Sequence, residues 1–284
     1  MYQRGSRGSG SRGDHGRAGA ARASRRTVHR TRHGNHDPGR LTAPAPDPEK
    51  GKFFMSPESK SPTGFPTDSI NDWVFDLDNT IYPARSNLFV RVAVRITEFV
   101  ARHFDVPHDE AKVIQKDLFH RYGTTMRGLM VEQGLTPEEY LHFVHDIDVS
   151  DLPVETELDA MLAALPGRKH IFTNGTVPHA ENILNAYGIR HHFDQIFDIV
   201  GADFVPKPEQ AAFDSFISTT GIDPTGAVMI EDMARNLEPA HALGMRTVWL
   251  VSDHDWAATG ADEPYVHFIA DDLKSFLSTL AIQA

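Results

Sequence analysis

From residue 155 onward, short apolar runs alternate with amphipathic stretches that close on glycine, and this rhythm restricts the fold more than any other feature. Residues 168–173, 195–200, 227–230 and 247–251 read as buried strands. Between them, 178–187, 209–220 and 234–243 carry helical spacing and end at Gly188, Gly221 and Gly244, the residue type that most easily takes the left-handed turn closing a helix. Residues 155–165 read as a further helix ahead of the first of these strands. Short apolar strands that alternate with helices point to a doubly wound α/β fold, a parallel sheet covered on both faces.

One more strand, 73–75, stands far upstream, so residues 86–150 read as an insertion after it. The insertion is all helical. Apolar residues at 88, 89, 92, 96, 99, 100 and 104 have a helical period. A second helix follows Pro107, with Val113, Ile114, Leu118 and Phe119 as its expected apolar face, then a short piece over 126–131. Thr136 and Pro137 make a good helix start for 140–147. The expected organisation is an α/β core from 71–85 and 151–284, a helical cap at 86–150, and a disordered tail at 1–70.

The tail rests on composition. Gly, Ser, Arg, Ala and Pro dominate the first 50 residues, too polar a mixture to offset its ordering entropy by burial. It reads as a passive extension upstream of a start at Met55; an organellar presequence and an RNA-binding Arg/Gly arm are the alternatives. Residues 1–54 carry twelve Lys and Arg against four Asp and Glu, which leaves sixteen against thirty-five, a balance of −19, for the rest. So acidic a folded part argues against a nucleic-acid surface on it. There is no cysteine, hence no thiolate nucleophile and no disulfide, which fits a reducing compartment. No apolar run approaches the roughly 18 residues that span a bilayer. A cytoplasmic protein without membrane partners is expected.

In open parallel sheets ligands bind beyond the carboxyl ends of the strands. After the first strand stand Asp76 and Asp78, which alternation puts on one face, with Phe75 and Leu77 on the other. Carboxylates that close repel each other unless a cation or a shared proton compensates. The second strand leads to Thr173-Asn174-Gly175, the third to Lys207 between two prolines, and the fourth to Glu231-Asp232. Each has an ordinary alternative: a turn-forming Asp pair, a helix cap, an exposed loop lysine, a solvated acidic helix start. Four such groups at four successive strand ends favour a single site.

Together these groups suit phosphoryl transfer. Asp76 would attack phosphorus and form an aspartyl-phosphate. Asp78 would protonate the leaving alkoxide, then take a proton from the water that cleaves the intermediate. Mg2+, with Asp76, Asp232 and Glu231 as candidate ligands, would let these anions approach an anionic ester. Thr173, with Asn174 and Gly175 at a helix start, would bind phosphoryl oxygens, and Lys207 would balance charge.

Across 71–284 this pattern resembles the haloacid dehalogenase superfamily of phosphohydrolases. Asp76-Leu77-Asp78-Asn79-Thr80, Thr173-Asn174-Gly175, Lys207 and Glu231-Asp232 are similar to its four motifs, and the insertion resembles its mobile cap. The resemblance implies that the backbone carbonyl of Asp78 also ligates the metal; the presence of Asp78 implies a phosphatase, since the superfamily's dehalogenases lack that carboxylate. Asp78-Asn79-Thr80-Ile81-Tyr82-Pro83, the run from Arg121 through Gly128 to Leu129, and Phe143-Val144-His145-Asp146 are similar to the pyrimidine 5′-nucleotidase-like branch. That branch implies hydrolysis of pyrimidine nucleoside 5′-monophosphates, with a small-molecule nucleotide as the partner.

Specificity is expected from the cap. Tyr82, Tyr122, Thr124, Thr125 and Arg127 are the candidates to face the leaving group, with Gly123 and Gly128 allowing close backbone approach. His142, His145 and Asp146 share helical spacing but read as a packed or solvated face, and His191-His192 as a loop. Two rival readings remain: a phosphatase or phosphomutase for phosphoglycolate or sugar phosphates, and a catalytically idle nucleotide-binding protein.

Overall fold

Among the described residues six parallel strands form the sheet, in the order β3-β2-β1-β4-β5-β6: β1 Asp72–Phe75, β2 Arg168–Phe172, β3 Gln195–Phe197, β4 Ala227–Glu231, β5 Arg246–Leu250 and β6 Phe268–Ala270. A computed structural model describes residues 60–252, 254 and 256–281, all within one unit, Phe53–Ala284. The central strand β1 pairs with β2 through Phe75 and Ile171, and with β4 through Phe75 and Ile230.

Strand alternation builds a core on each face. Trp73, Phe75, Ile171, Val228, Ile230 and Val248 turn to one side, beneath α5 (Thr156–Ala164), α6 (Val177–Ala186) and α9 (Leu273–Ala281). Val74, Phe172, Phe197, Met229 and Trp249 turn to the other, beneath α7 (Gln210–Thr220) and α8 (Leu237–Ala242). This is the expected doubly wound α/β fold. Its last pair, β6 and α9, has no counterpart in the sequence reading.

Between β1 and α5 stand four helices, α1 Leu88–Phe104, α2 His108–Tyr122, α3 Thr125–Gln133 and α4 Pro137–Val144. They enclose an apolar cluster of their own, with Phe99, Val100, Leu118, Leu129, Tyr140 and Val144, to which the core adds Ile199. The expected face of α2 is corrected here. Val113 is 67% exposed, and the buried line runs through Ala111 and Leu118. Gly128 is what brings α2 and α3 together, since a Cβ there would stand 2.7 Å from Leu118 Cδ2 and 2.9 Å from Tyr122 Cδ2. Close approach at this glycine therefore serves helix packing.

The expected tail at 1–70 overruns the folded part. Phe65 is 4% exposed, with its ring 5.8 Å from Trp73, 5.0 Å from Phe268 and 5.3 Å from Phe276, and Ile70 is buried beside it. The backbone of Lys60 accepts a hydrogen bond from Ile269. Isolated apolar residues among prolines and hydroxyls have no periodicity, and two of the three ring partners of Phe65, Phe268 and Phe276, lie at the far end of the chain. Residues 1–59, and with them a start at Met55, fall outside the described residues. Among the described residues no helix is long and apolar enough to cross a membrane.

Candidate active site

β2, β1 and β4 are adjacent, so the residues that follow them meet at one edge of the sheet. The ladder continues a step past each strand: Asp76 N–H donates to Ile230 O and Thr173 N–H to Phe197 O, both at 3.0 Å. Asp76 is thereby fixed beside Glu231 and Asp232, and carboxylate oxygens of all three lie within 4.8 Å of one another. Into this group reaches Lys207, 2% exposed. Its Nζ donates to Asp76 Oδ1, Glu231 Oε2 and Phe172 O, each at 2.7 Å, which uses every proton of the ammonium. Asn174 holds the lysine's backbone: Lys207 N–H donates to Asn174 Oδ1 at 2.8 Å, and Asn174 Nδ2 to Lys207 O at 3.4 Å. The side chain of Asn174, expected at a phosphate, is spent on this clamp.

Charge decides what else the site needs. Four carboxylates, counting Asp78, surround one ammonium. Burial, then Glu231, pushes Asp76 up to about 8 against the pull of Lys207. Asp232 lies well above the usual carboxylate range for the same reasons. Burial works against the charge on Lys207, and Asp76 and Glu231 more than offset it. The arrangement lacks positive charge, and a divalent cation bound by oxygen would supply it. The donors fit such an ion. Asp232 Oδ2 is buried without a partner, and Asp76 Oδ2 stands outside the lysine's hydrogen bonds. Glu231 lies in the same cluster, but Lys207 takes Oε2 and Asn236 Nδ2 donates to Oε1 at 2.9 Å. Asn236, and Trp249 whose Nε1–H donates to Asp232 O at 2.6 Å, went unread in the sequence because neither follows a strand end.

Thr173 is buried at the start of the turn into α6, and its Oγ1 accepts Gly175 N–H at 2.9 Å. That bond takes the Gly175 donor that was expected for phosphate and leaves the hydroxyl proton free. A Cβ on Gly175 would stand 3.2 Å from Thr173 Oγ1 and 3.7 Å from Asp78 Oδ2, so glycine keeps the space between them open.

Asp78 follows Asp76 into the same cleft. Its Oδ1 accepts from Tyr82 Oη–H and from His179 Nε2–H, the latter at 3.0 Å. Burial raises this carboxyl, but His179 and Tyr82 outweigh it and hold the group below its usual range. Tyr82, expected at the leaving group, is instead fully buried against the acid. Burial and then the charge of Asp78 keep its phenol well above the ordinary value. His179 was missed altogether, and only its position after Thr173-Asn174-Gly175 hinted at it.

The remaining candidates have other partners. Tyr122 donates to Glu132 at 2.9 Å, Thr124 caps α3 by accepting Arg127 N–H at 3.1 Å, and Thr125 donates to Gln115 O at 3.3 Å. None of these contacts reaches Asp76 or Asp78. Among the described residues the half-buried Arg127 side chain has no ion-pair partner. Besides Ile199, two ring contacts join the helical block to the core. Phe119 packs 5.5 Å from Trp256 and under the Arg235 guanidinium at 5.3 Å; His145 stacks on His179. His142 and Asp146 are exposed, so they share no site with His145. Asp159 Oδ1 lies 2.7 Å from His192 Nε2 and 3.2 Å from His191 Nε2, contacts that account for this half-exposed trio. A cavity of about 720 Å3 runs along the loop after Asn79, but its cations are paired, Arg91 with Asp151 and Lys274 with Glu155, and it excludes the carboxylate cluster.

A family model for haloacid dehalogenase-like hydrolases matches residues 73–244. Among solved structures, CbbY from Rhodobacter sphaeroides in complex with phosphate is similar at 17% identity, over 75% of this chain and 99% of that one, with a TM-score of 0.52. A HAD phosphatase from Thermococcus onnurineus is 18% identical over 76% and 98%, TM-score 0.49. L-2-haloacid dehalogenase from Xanthobacter autotrophicus is 15% identical over 76% and 100%, TM-score 0.47. At such identities the likeness concerns the fold alone.

Proposed function

The chain belongs to the haloacid dehalogenase-like hydrolases, and we propose that it is a magnesium-dependent phosphatase acting on pyrimidine nucleoside 5′-monophosphates. The observation that carries the phosphatase reading is the meeting of Asp76, Asp78, Thr173, Lys207 and Asp232 in one cleft, with a second carboxylate placed to handle protons.

Asp76 is the nucleophile. Lys207 on Oδ1 holds the carboxylate that attacks phosphorus. Thr173, with its hydroxyl proton free, and the backbone N–H of Asn174 take the phosphoryl oxygens. Asp78 gives its proton to the departing alkoxide and later takes one from the attacking water. An arriving phosphate adds negative charge beside Asp78, which favours the protonated carboxyl that this step requires. Asp76, Asp232 and the backbone carbonyl of Asp78 would hold Mg2+, which would supply positive charge against the ester.

The four-helix block takes the part of a cap, with Arg127 as its candidate for the leaving group. The nucleotide substrate rests on the sequence runs from Asp78 to Pro83, Arg121 to Leu129 and Phe143 to Asp146. Phosphate release from UMP, CMP, dTMP, AMP, phosphoglycolate and glucose phosphates tests it. Pyrimidine monophosphates are expected to rank first by kcat/KM; a higher rank for phosphoglycolate or a sugar phosphate overturns the substrate assignment.

A further inference from the structure

The contacts of Asp78 extend past the core into the helical block. Tyr82 and His179 both donate to Oδ1, so Oδ2, on the open Gly175 side, is the oxygen left to carry a proton. Rotating the carboxyl to exchange its oxygens would break both bonds, and neither donor has water as a ready substitute, since Tyr82 and His179 are buried. Behind His179 lies His145, the residue that ends α4, with ring centroids 4.4 Å apart and planes at 18°. Thr176 joins the two. Its Oγ1 accepts His179 N–H at 3.4 Å and lies 3.1 Å from His145 Nδ1, to which its hydroxyl proton can be given. A buried histidine that only filled space would not need a carboxylate on one side and a ring from another structural block on the other.

We propose that His179 is a positioning residue for Asp78 and that His145, seated on His179, couples delivery of the leaving-group proton to the placement of the helical block. The inference rests on the phosphatase reading with Asp78 as acid. With the block seated, the ring of His145 fixes the plane of His179, and Nε2–H fixes Asp78. With the block displaced, His179 loses its cover and Asp78 its orientation. An alkyl ester then meets a misaligned acid.

Leaving groups separate this role from a structural one. An alkyl phosphate needs its oxygen protonated as it departs; p-nitrophenyl phosphate releases a stable anion and does not. The readout is kcat/KM, which covers phosphoenzyme formation and excludes its later hydrolysis. His145→Ala and His179→Asn are expected to lose roughly tenfold or more on the best alkyl ester and less than about threefold on p-nitrophenyl phosphate. His145→Phe, which keeps a ring on His179, is expected within about twofold of wild type on both. Because His145 is half-buried at a helix end, His145→Ala tests the coupling even where a His179 variant does not fold. Equal losses on the two esters, or an unchanged His145→Ala, overturn the proposal. Failure of the wild type on both esters sinks the phosphatase reading itself, and the proposal with it.

Discussion

Replacing Lys207 by Met is expected to destabilise the metal-free protein by an amount that grows with pH. Lys207 Nζ makes three hydrogen bonds of 2.7 Å, two of them to the buried carboxylates Asp76 and Glu231. Methionine nearly matches its length but offers no proton, so both anions lose their partner in a site without bulk water. Removing one member of a buried ion pair costs about 3–5 kcal/mol. For a folded body of this size that corresponds to a melting temperature lower by roughly 6–20 °C. Protons can partly replace the ammonium. Asp76 is already pushed up to about 8 with Lys207 present, and losing the cation raises it further. The variant therefore binds more protons than the wild type in the neutral range, and its stability falls more steeply as pH rises. Differential scanning fluorimetry in chelator, from about pH 5.5 to about pH 8.5, reads this directly. A difference under about 2 °C at the upper end, or one that is constant across the range, refutes the reasoning.

Three more outcomes can be checked. For the metal-free wild type, Asp76 and Asp232 are raised above their unfolded values, so the folded state holds their protons more tightly. The stability that these two carboxyls contribute is then full below about pH 4 and is lost as pH rises towards about 8, and stabilisation by added Mg2+, measured as a melting shift, grows over that window. A Mg2+ shift that shrinks with pH contradicts this. Gly128→Val drives a side chain into Leu118 and Tyr122 and is expected to cost about 1–3 kcal/mol by urea denaturation, whereas a neutral result would mean that α2 and α3 can part freely. Phe65→Ala removes a buried ring that touches Trp73, Phe268 and Phe276, at about 3–5 kcal/mol in the same assay, and a loss under about 1 kcal/mol would return this segment to the tail.

The parallel sheet was legible because the helices that follow β2, β3 and β4 run into Gly188, Gly221 and Gly244, a local signal. The carboxylate cluster was legible because the strand-end rule turns sequence positions into one shared edge. What escaped depends on distant contacts. Nothing near Phe65 announces a ring from residue 276, and nothing near Asp78 announces a histidine 101 positions on. Val113 was assigned inward because it is apolar, although the Gly128 crossing selects the line through Ala111 and Leu118. Tyr82 was placed at the leaving group by its neighbourhood; the turn after Asn79, at φ 62°, belongs to a loop that buries it on Asp78.

The central claim is that Asp76 itself takes the phosphoryl group. Quenching the enzyme in acid during turnover of its best ester with Mg2+, then digesting and weighing the peptides, tests this most directly. The account predicts one added phosphoryl group on the peptide carrying Asp76, absent with chelator and absent in Asp76→Asn. Phosphate release by Asp76→Asn at the wild-type rate, or a phosphoryl group found on any other residue, contradicts it.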